Sequence, residues 1–497
     1  MSAALVNFPM LCIIFSLLSA VVSLLLSRRA AKLLTLCMLF AVTLMSACVL
    51  ALGLRTGQSV TYIMGHFPAP WGNEIRFGIL EPLMATALSG VTFLSLLGGD
   101  KALRERTEPG KHRFYYAMVD LVCTSVLVLC YTNDLFTGYV FIELCTLASC
   151  GVLAVRSTGR TLVAAMRYMV FNLLGSALVL LGIILLYGIT GHLLMPQLKE
   201  AVGAVWQTGS YGSSLTVVIT LVVAGLAIKS GLFPFHIWVA DAHTSTVSGS
   251  SGILSGVVFK AYIVLLIKLI YSVFGVEVFY ACGATNVIFI YGIAGMLFGS
   301  LSAMRERHFK RMVAYSSVAQ IGYIFMGIGI SPVMGVCAAC FHVLTHACAK
   351  PALFLSCVRL ADATGGMEID KTRGAGRLHP VAGICFTLGA MSLVGIPGFM
   401  GFISKLLLAA AGAEMGWKML PTLLALAVSA VLNAIYLMRA IVNIFSPLPD
   451  GVDTRPQRLG DEPAFGAAAI GFSAVSLFFG FFSQPLVDAI SAGLQLL

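Results

Sequence analysis

Charge is what this sequence has least of: only 10% of its 497 residues are Asp, Glu, Lys or Arg. A water-soluble chain of this size needs far more to cover its surface, so a soluble globular fold is excluded. The apolar–polar alternation over about 10 residues that marks a membrane β-barrel strand is also missing. No polar stretch is long enough to bury a core of its own: 100–113, 361–379 and about 446–463 read as connectors, so no soluble domain is expected. The phosphate-cradling loop, the G-x-G-x-x-G unit, H-E-x-x-H and G-x-S-x-G on a strand–turn–helix are all lacking. The 13 cysteines follow no disulfide, zinc or iron–sulfur spacing, and Cys337 and Cys340 fall inside an apolar run, where free thiols act as small apolar groups. His236 and His243 are too isolated to argue for a metal. No cofactor and no metal are therefore expected on this chain.

What the chain has is apolar length. Its mean hydropathy is +0.96, and its runs match the roughly 20 residues that cross a hydrocarbon core about 30 Å thick. Backbone groups in lipid must be satisfied within the segment, so the runs are helices. About fourteen spans are expected, near 4–26, 32–54, 77–99, 114–131, 134–154, 163–187, 213–239, 247–271, 277–303, 312–330, 333–358, 381–410, 421–445 and 465–492. The first has no convincing cleavage pattern after it and reads as a retained helix. The segment 55–76, with Pro68 and Pro70, reads as an outer loop.

The net charge of +10 is an orientation signal, not a nucleic-acid footprint. If the N-terminus lies outside, 22 of the 31 Lys+Arg fall in inner loops. These are Arg28 to Lys32, Lys101 to Arg113, Arg156 to Arg167, Arg305 to Arg311, Arg359 to Arg377, and Arg439, Arg455 and Arg458. The outer side has 5, namely Arg55, Arg76, Lys199, Lys268 and Lys418. That asymmetry puts both termini outside a cytoplasmic membrane.

Two spans carry breaks. Gly231 and Pro234 interrupt the seventh, and Gly395-Ile-Pro-Gly398 interrupts the twelfth. Proline removes a helical hydrogen bond and clashes with the preceding turn. Paired broken spans mark transporters built from two repeats. Spans four to eight pair with nine to thirteen, giving segments 1–113, 114–271, 272–446 and 447–497.

Four lysines, Lys229, Lys260, Lys350 and Lys405, fall inside spans. Glu143 lies mid-span in the fifth, and His342, His346 and Lys350 form one stripe at i, i+4 and i+8 of the eleventh. A charge at mid-bilayer costs roughly 2.5–3.5 kcal/mol on insertion scales, so each is a functional-site hypothesis. A lone lysine near a helix end can snorkel to the headgroups, as Arg439 is expected to do. Asp120 in the fourth span is equally a helix-packing residue or a member of the set. Seven such groups on five helices are hard to explain as unrelated. Desolvated amines beside a carboxylate and imidazoles exchange protons near neutral pH, so the pattern predicts a proton relay. Ser316, Ser317 and Gln320 can hold linking water.

These residues resemble the antiporter-like, proton-conducting membrane subunits of respiratory complex I, Mrp-type cation/proton antiporters and membrane-bound hydrogenases. The match runs over roughly 60–445. It is carried by Asn133-Asp-Leu-Phe136 with Tyr139-Val-Phe-Ile-Glu143, Lys229-Ser-Gly-Leu-Phe-Pro-Phe-His236, and Trp238-Val-Ala-Asp-Ala-His243. Phe309 to Ser317, Gln320-Ile-Gly-Tyr323, His342-Val-Leu-Thr-His346 with Lys350, and Gly395-Ile-Pro-Gly398 through Lys405 complete it. Gly65-His-Phe-Pro-Ala-Pro-Trp-Gly72 is most similar to the Mrp D-type subunits and their hydrogenase counterparts. The chain departs from the family pattern at Ala240, over Thr244 to Ser251, and at His308-Phe309.

The resemblance implies an all-α fold of fourteen helices with two inverted five-helix repeats. It implies that Glu143 pairs with Lys229, that Lys260 links inward, that His342, His346 and Lys350 bridge, and that Lys405 is the terminal lysine. Glu81 falls near a family aspartate, and His236, Asp241, Ser317 and Gln320 lie in the matching motifs. It also implies partners: other membrane subunits, and either a peripheral iron–sulfur, nickel or dehydrogenase arm or a sodium/proton antiporter assembly. A non-conducting scaffold and a stand-alone transporter are the competing readings.

Overall fold

A computed structural model describes residues 3–67, 72–209, 211–448 and 459–497. Pro68, Pro70, Arg455 and Arg458, and part of the Gly65–Gly72 motif, lie outside the described residues. The chain is an all-α bundle. Its long helices are α1 Phe8–Leu25, α2 Arg28–Thr56, α3 Leu80–Arg106, α4 His112–Tyr131, α5 Leu135–Ala154 and α6 Gly159–Thr190. They continue with α7 Met195–Thr208, α8 Gly212–Ser230, α9 Ile237–Ser245, α10 Ser248–Phe274, α11 Ala284–Arg305, α12 Phe309–Ile330 and α13 Met334–Thr364. Then come α14 Pro380–Val394, α15 Met400–Ala413, α16 Met419–Phe445, α17 Pro463–Phe481 and α18 Gln484–Gln495.

Among the described residues 13 helices are long and apolar enough to cross a membrane. A fourteenth is reached if Ile369–Leu378 and Pro380–Val394, bent by 117°, count as one span; the twelfth expected span, 381–410, is split into α14 and α15. Both expected breaks are present. α8 ends on Gly231 at φ 73° before α9, and α14 ends on Gly395 at φ 93° before α15. Only glycine adopts such angles cheaply, so each helix stops where its glycine stands.

Three features differ from the sequence reading. The segment 465–492 is two helices, α17 and α18, because Ser483-Gln-Pro485 starts a new helix with proline in its first turn. The outer segment 55–76 holds an antiparallel hairpin, β1 Val60–Ile63 with β2 Glu74–Phe77, in the register Val60 to Phe77. The stretch between the sixth and seventh spans contains α7, which buries Met195, Leu198 and Val202 at helical spacing.

Burial is uneven, and this positions the site. The membrane-length windows of α10 and α13 are entirely buried and that of α12 is 94% buried, whereas those of α1 and α2 are 33% buried. α10, α12 and α13 therefore form the centre, sealed from lipid on all sides. α10 and α13 approach closely because Gly256 faces Pro351: a β-carbon on Gly256 would lie 2.7 Å from Pro351 Cγ. The arginine- and lysine-rich connectors gather on one face. Arg106 pairs with Asp362, Arg359 Nε lies 3.0 Å from Glu462, and Arg156 donates to Ser245 O at 3.1 Å.

Candidate functional site: a buried ionisable row

The row begins on α5. Lys229 Nζ lies 3.7 Å from Glu143 Oε1 and donates to Thr146 Oγ1, one turn further along α5, at 2.8 Å. The amine also sits 5.5 Å from the centre of the Tyr262 ring, whose hydroxyl is 3.3 Å from Thr146 Oγ1. Lys229 is completely buried while Glu143 keeps 24% exposure. The acid thus stands at the edge of the bundle and the amine inside it. The break after α8 makes this possible, because Lys229 occupies the last turn before Gly231.

Tyr262 stands two residues beyond Lys260 on α10. A π-helical turn, Leu254–Val258, precedes that lysine, and its amine donates to Ser255 O. π turns recur at functional sites because they re-aim side chains and free backbone carbonyls. Ser255 Oγ lies 3.0 Å from Ser317 Oγ, which joins α10 to α12. The neighbouring Ser316 accepts from Lys350 on α13, and that lysine also donates to Val313 O at 2.9 Å.

The α13 stripe continues the row. The His346 and His342 rings are near-parallel, 6.5 Å between centres. Both nitrogens of His346 are buried without a hydrogen-bond partner. His342 Nδ1 is 2.9 Å from Ser404 Oγ and its Nε2 is 3.1 Å from Gln320 Oε1. Ser404 adjoins Lys405 on α15. The Lys405 amine donates to Leu393 O and Val394 O, at 2.8 and 2.6 Å, the carbonyls freed by the end of α14. It lies 5.2 Å from the centre of the Tyr323 ring, which stacks on His342. The seven residues expected to form the relay lie on α5, α8, α10, α13 and α15, with Ser317 and Gln320 among the contacts between those helices.

The remaining candidates lie apart. Asp120 is held by hydroxyls of α1 and α2. Glu81 Oε2 accepts from Gly78 N at 2.8 Å at the start of α3. His236 stacks on Phe233, with 5.4 Å between ring centres, beyond the first break. Asp241 faces the arginine-rich side, paired with Arg167 and 3.7 Å from Arg311 Nη2.

The sequence counts Lys268 with the outer-side charges and Lys310 with an inner loop, but both are buried. Lys268 donates to Cys130 O at 2.6 Å and Thr132 O at 2.8 Å, and Lys310 donates to Thr246 O at 2.7 Å. The signal for Lys268 is its position two helical turns beyond Lys260 on the same face. His243, isolated along the chain, is buried against Phe354 with 4.6 Å between ring centres, and neither ring nitrogen has a partner.

A helical bundle with two broken spans and buried amines and imidazoles beside an acid is a membrane ion-transport architecture. Residues 132–432 match the family described as NADH:quinone oxidoreductase/Mrp antiporter, transmembrane, and the chain belongs to that family. It is 32% identical over 464 residues to NADH-quinone oxidoreductase subunit N of Desulforudis audaxviator, covering 90% of this chain and 89% of that one. It is 29% identical over 343 residues to a Na(+)/H(+) antiporter subunit of Alkalihalophilus pseudofirmus, covering 69% and 67%. Its fold superposes on a chain of the Mrp complex from Dietzia sp. DQ12-45-1b with a TM-score of 0.86 at 25% identity, covering 99% and 97%.

Proposed function

We propose that this chain is the ion-translocating, antiporter-like subunit of a multisubunit membrane complex, and that protons pass along the row from Glu143 to Lys405. The observation that carries the reading is the wholly buried stripe of Lys350, His346 and His342 at the centre of the bundle, with the His342 and His346 rings near-parallel and His342 bonded to Ser404 beside Lys405. Burial of a lysine without a fixed counter-ion makes its charge sensitive to any nearby carboxylate. Movement of Glu143 toward or away from Lys229 then switches the amine between holding and releasing its proton.

The membrane partners follow from one face of α5. Phe136, Val140 and Leu147 are 47%, 44% and 56% exposed, and Glu143 falls on their stripe. A carboxylate on an apolar outer wall is costly in lipid, so another membrane subunit covers it. The arginine-rich face lies in the cytoplasm and both termini outside. Residues 114–271 and 272–446 form the two repeats, inverted with respect to one another.

Two couplings fit: a redox arm, as the dehydrogenase-subunit relatives suggest, or sodium/proton exchange, as the antiporter-subunit relatives suggest. Iron–sulfur or nickel analysis of the intact purified complex separates them. The test of the relay is proton uptake by that complex in liposomes. Glu143→Gln and Lys229→Ala should each abolish coupled uptake while the subunit remains assembled. Unchanged uptake in both would make the chain a scaffold, and uptake by the chain alone would make it a stand-alone transporter.

A further inference from the structure

Outside the row, one buried carboxylate has no counter-charge. Asp120 on α4 is fully buried, and its Oδ2 accepts three hydroxyl hydrogen bonds: Ser19 Oγ at 2.7 Å and Ser23 Oγ at 3.2 Å from α1, and Thr35 Oγ1 at 3.1 Å from α2. Its Oδ1 is buried and has no hydrogen-bond partner. Among the described residues no lysine, arginine or histidine forms an ion pair with it, and its hydrogen bonds are the three from the hydroxyls. The thiol of Cys123, also on α4, interacts with Asp120. Toward the arginine-rich side, Asp100 on α3 and His112 at the start of α4 follow.

Asp100 provides the contrast. It too is buried, yet Lys32 Nζ lies at 2.8 Å and Arg104 Nη2 at 3.0 Å, and Tyr116 donates to it at 3.4 Å. Its charge is matched where it stands. Asp120, one turn beyond Tyr116, has only its own two oxygens and three hydroxyls at the cage, and no cation. Carboxylate and hydroxyl oxygens are the ligands that hard cations take. An isolated ionised carboxylate in an apolar interior neutralises itself by binding one.

We propose that the Asp120 cage holds one neutralising monovalent cation, a proton or a sodium ion, as a site separate from the central row. Its placement between α1, α2 and α4 puts it behind the two least buried helices of the bundle, where an ion can exchange without entering the row.

Infrared difference spectra of the assembled complex, wild type minus Asp120→Asn, test this directly. A bound proton appears as the carbonyl stretch of a carboxylic acid, present in the wild type, absent in the variant, and unchanged when sodium replaces potassium at constant ionic strength and pH. A bound sodium ion appears as a carboxylate band that shifts on the same exchange. Either result supports the cage, and the two distinguish its occupant. A carboxylate band indifferent to both sodium and pH would overturn the proposal, because Asp120 would then be a bare charge held only by hydroxyls. If Asp120→Asn does not assemble, Asp120→Glu supplies the comparison, since the added methylene moves the same band.

Discussion

The hydroxyls of Ser255 and Ser317 stand 3.0 Å apart and join α10, which carries Lys260, to α12, whose Ser316 holds the Lys350 amine of α13. Ser255 belongs to the turn whose carbonyl holds the Lys260 amine, and Ser317 adjoins the hydroxyl that holds Lys350. Among the described residues this pair is the one direct polar contact between the α10 and α12 portions of the row. It follows that Ser255→Ala and Ser317→Ala should each slow proton uptake by the reconstituted complex several-fold, and that the double variant should be no slower than the worse single one. Full additivity in uptake rates would show that the two hydroxyls serve separate paths.

On the proposed reading Lys229 is a buried amine whose role is not stability. Its desolvation is offset by a partly exposed acid at 3.7 Å and one hydroxyl. Replacing both partners of a buried ion pair by neutral groups of similar size is often neutral or stabilising, whereas removing one partner alone is costly. Lys229→Met combined with Glu143→Gln should therefore leave the melting temperature of the complex unchanged or raised, while lowering proton uptake by about a hundredfold or more, the loss expected when groups central to proton transfer are removed. A melting curve and an uptake assay on one preparation read both effects.

Gly395 tests the positioning of the terminal lysine. At φ 93° any side chain is strained, and a β-carbon there would meet Lys405 Cδ at 2.9 Å. Gly395→Ala should cost about 1–2 kcal/mol of stability and lower uptake by displacing the Lys405 amine from Leu393 O and Val394 O. Unchanged uptake in Gly395→Ala would show that the placement of the Lys405 amine does not depend on this turn.

Asp241 sits with Arg167 and Arg311 at 24% exposure on the arginine-rich face. Exposed ion pairs contribute roughly 0–1 kcal/mol. Asp241→Asn is expected to shift the melting temperature by no more than that range and to leave proton uptake intact. A large loss of uptake in this variant would extend the row to the arginine-rich face.

Much of this was legible because lipid allows few solutions. Apolar runs of membrane length had to be helices, and Gly231, Pro234, Gly395 and Pro397 had to interrupt them. The ionisable side chains were conspicuous because so few others occur. What stayed hidden needed three dimensions or weak local signals. Lys268 and Lys310 looked like outer-side and inner-loop charges because a hydropathy run gives no sharp boundary and says nothing of what covers a helix end. The hairpin from Val60 to Phe77 is too short to show a period. The serine pair became a bridge only when α10 and α12 were set side by side, which no spacing along the chain predicts. Asp120 was visible in the sequence, but its isolation from every cation was not, because its hydroxyl partners come from two other helices.

The half-exposed acid on α5 bears on how the cell handles this chain before assembly. A newly made copy carries Glu143 on its outer wall until a neighbour covers it. Unassembled copies should be recognised as orphans by membrane proteases, so the steady-state amount of this subunit would track the supply of its neighbour more closely than its own rate of synthesis.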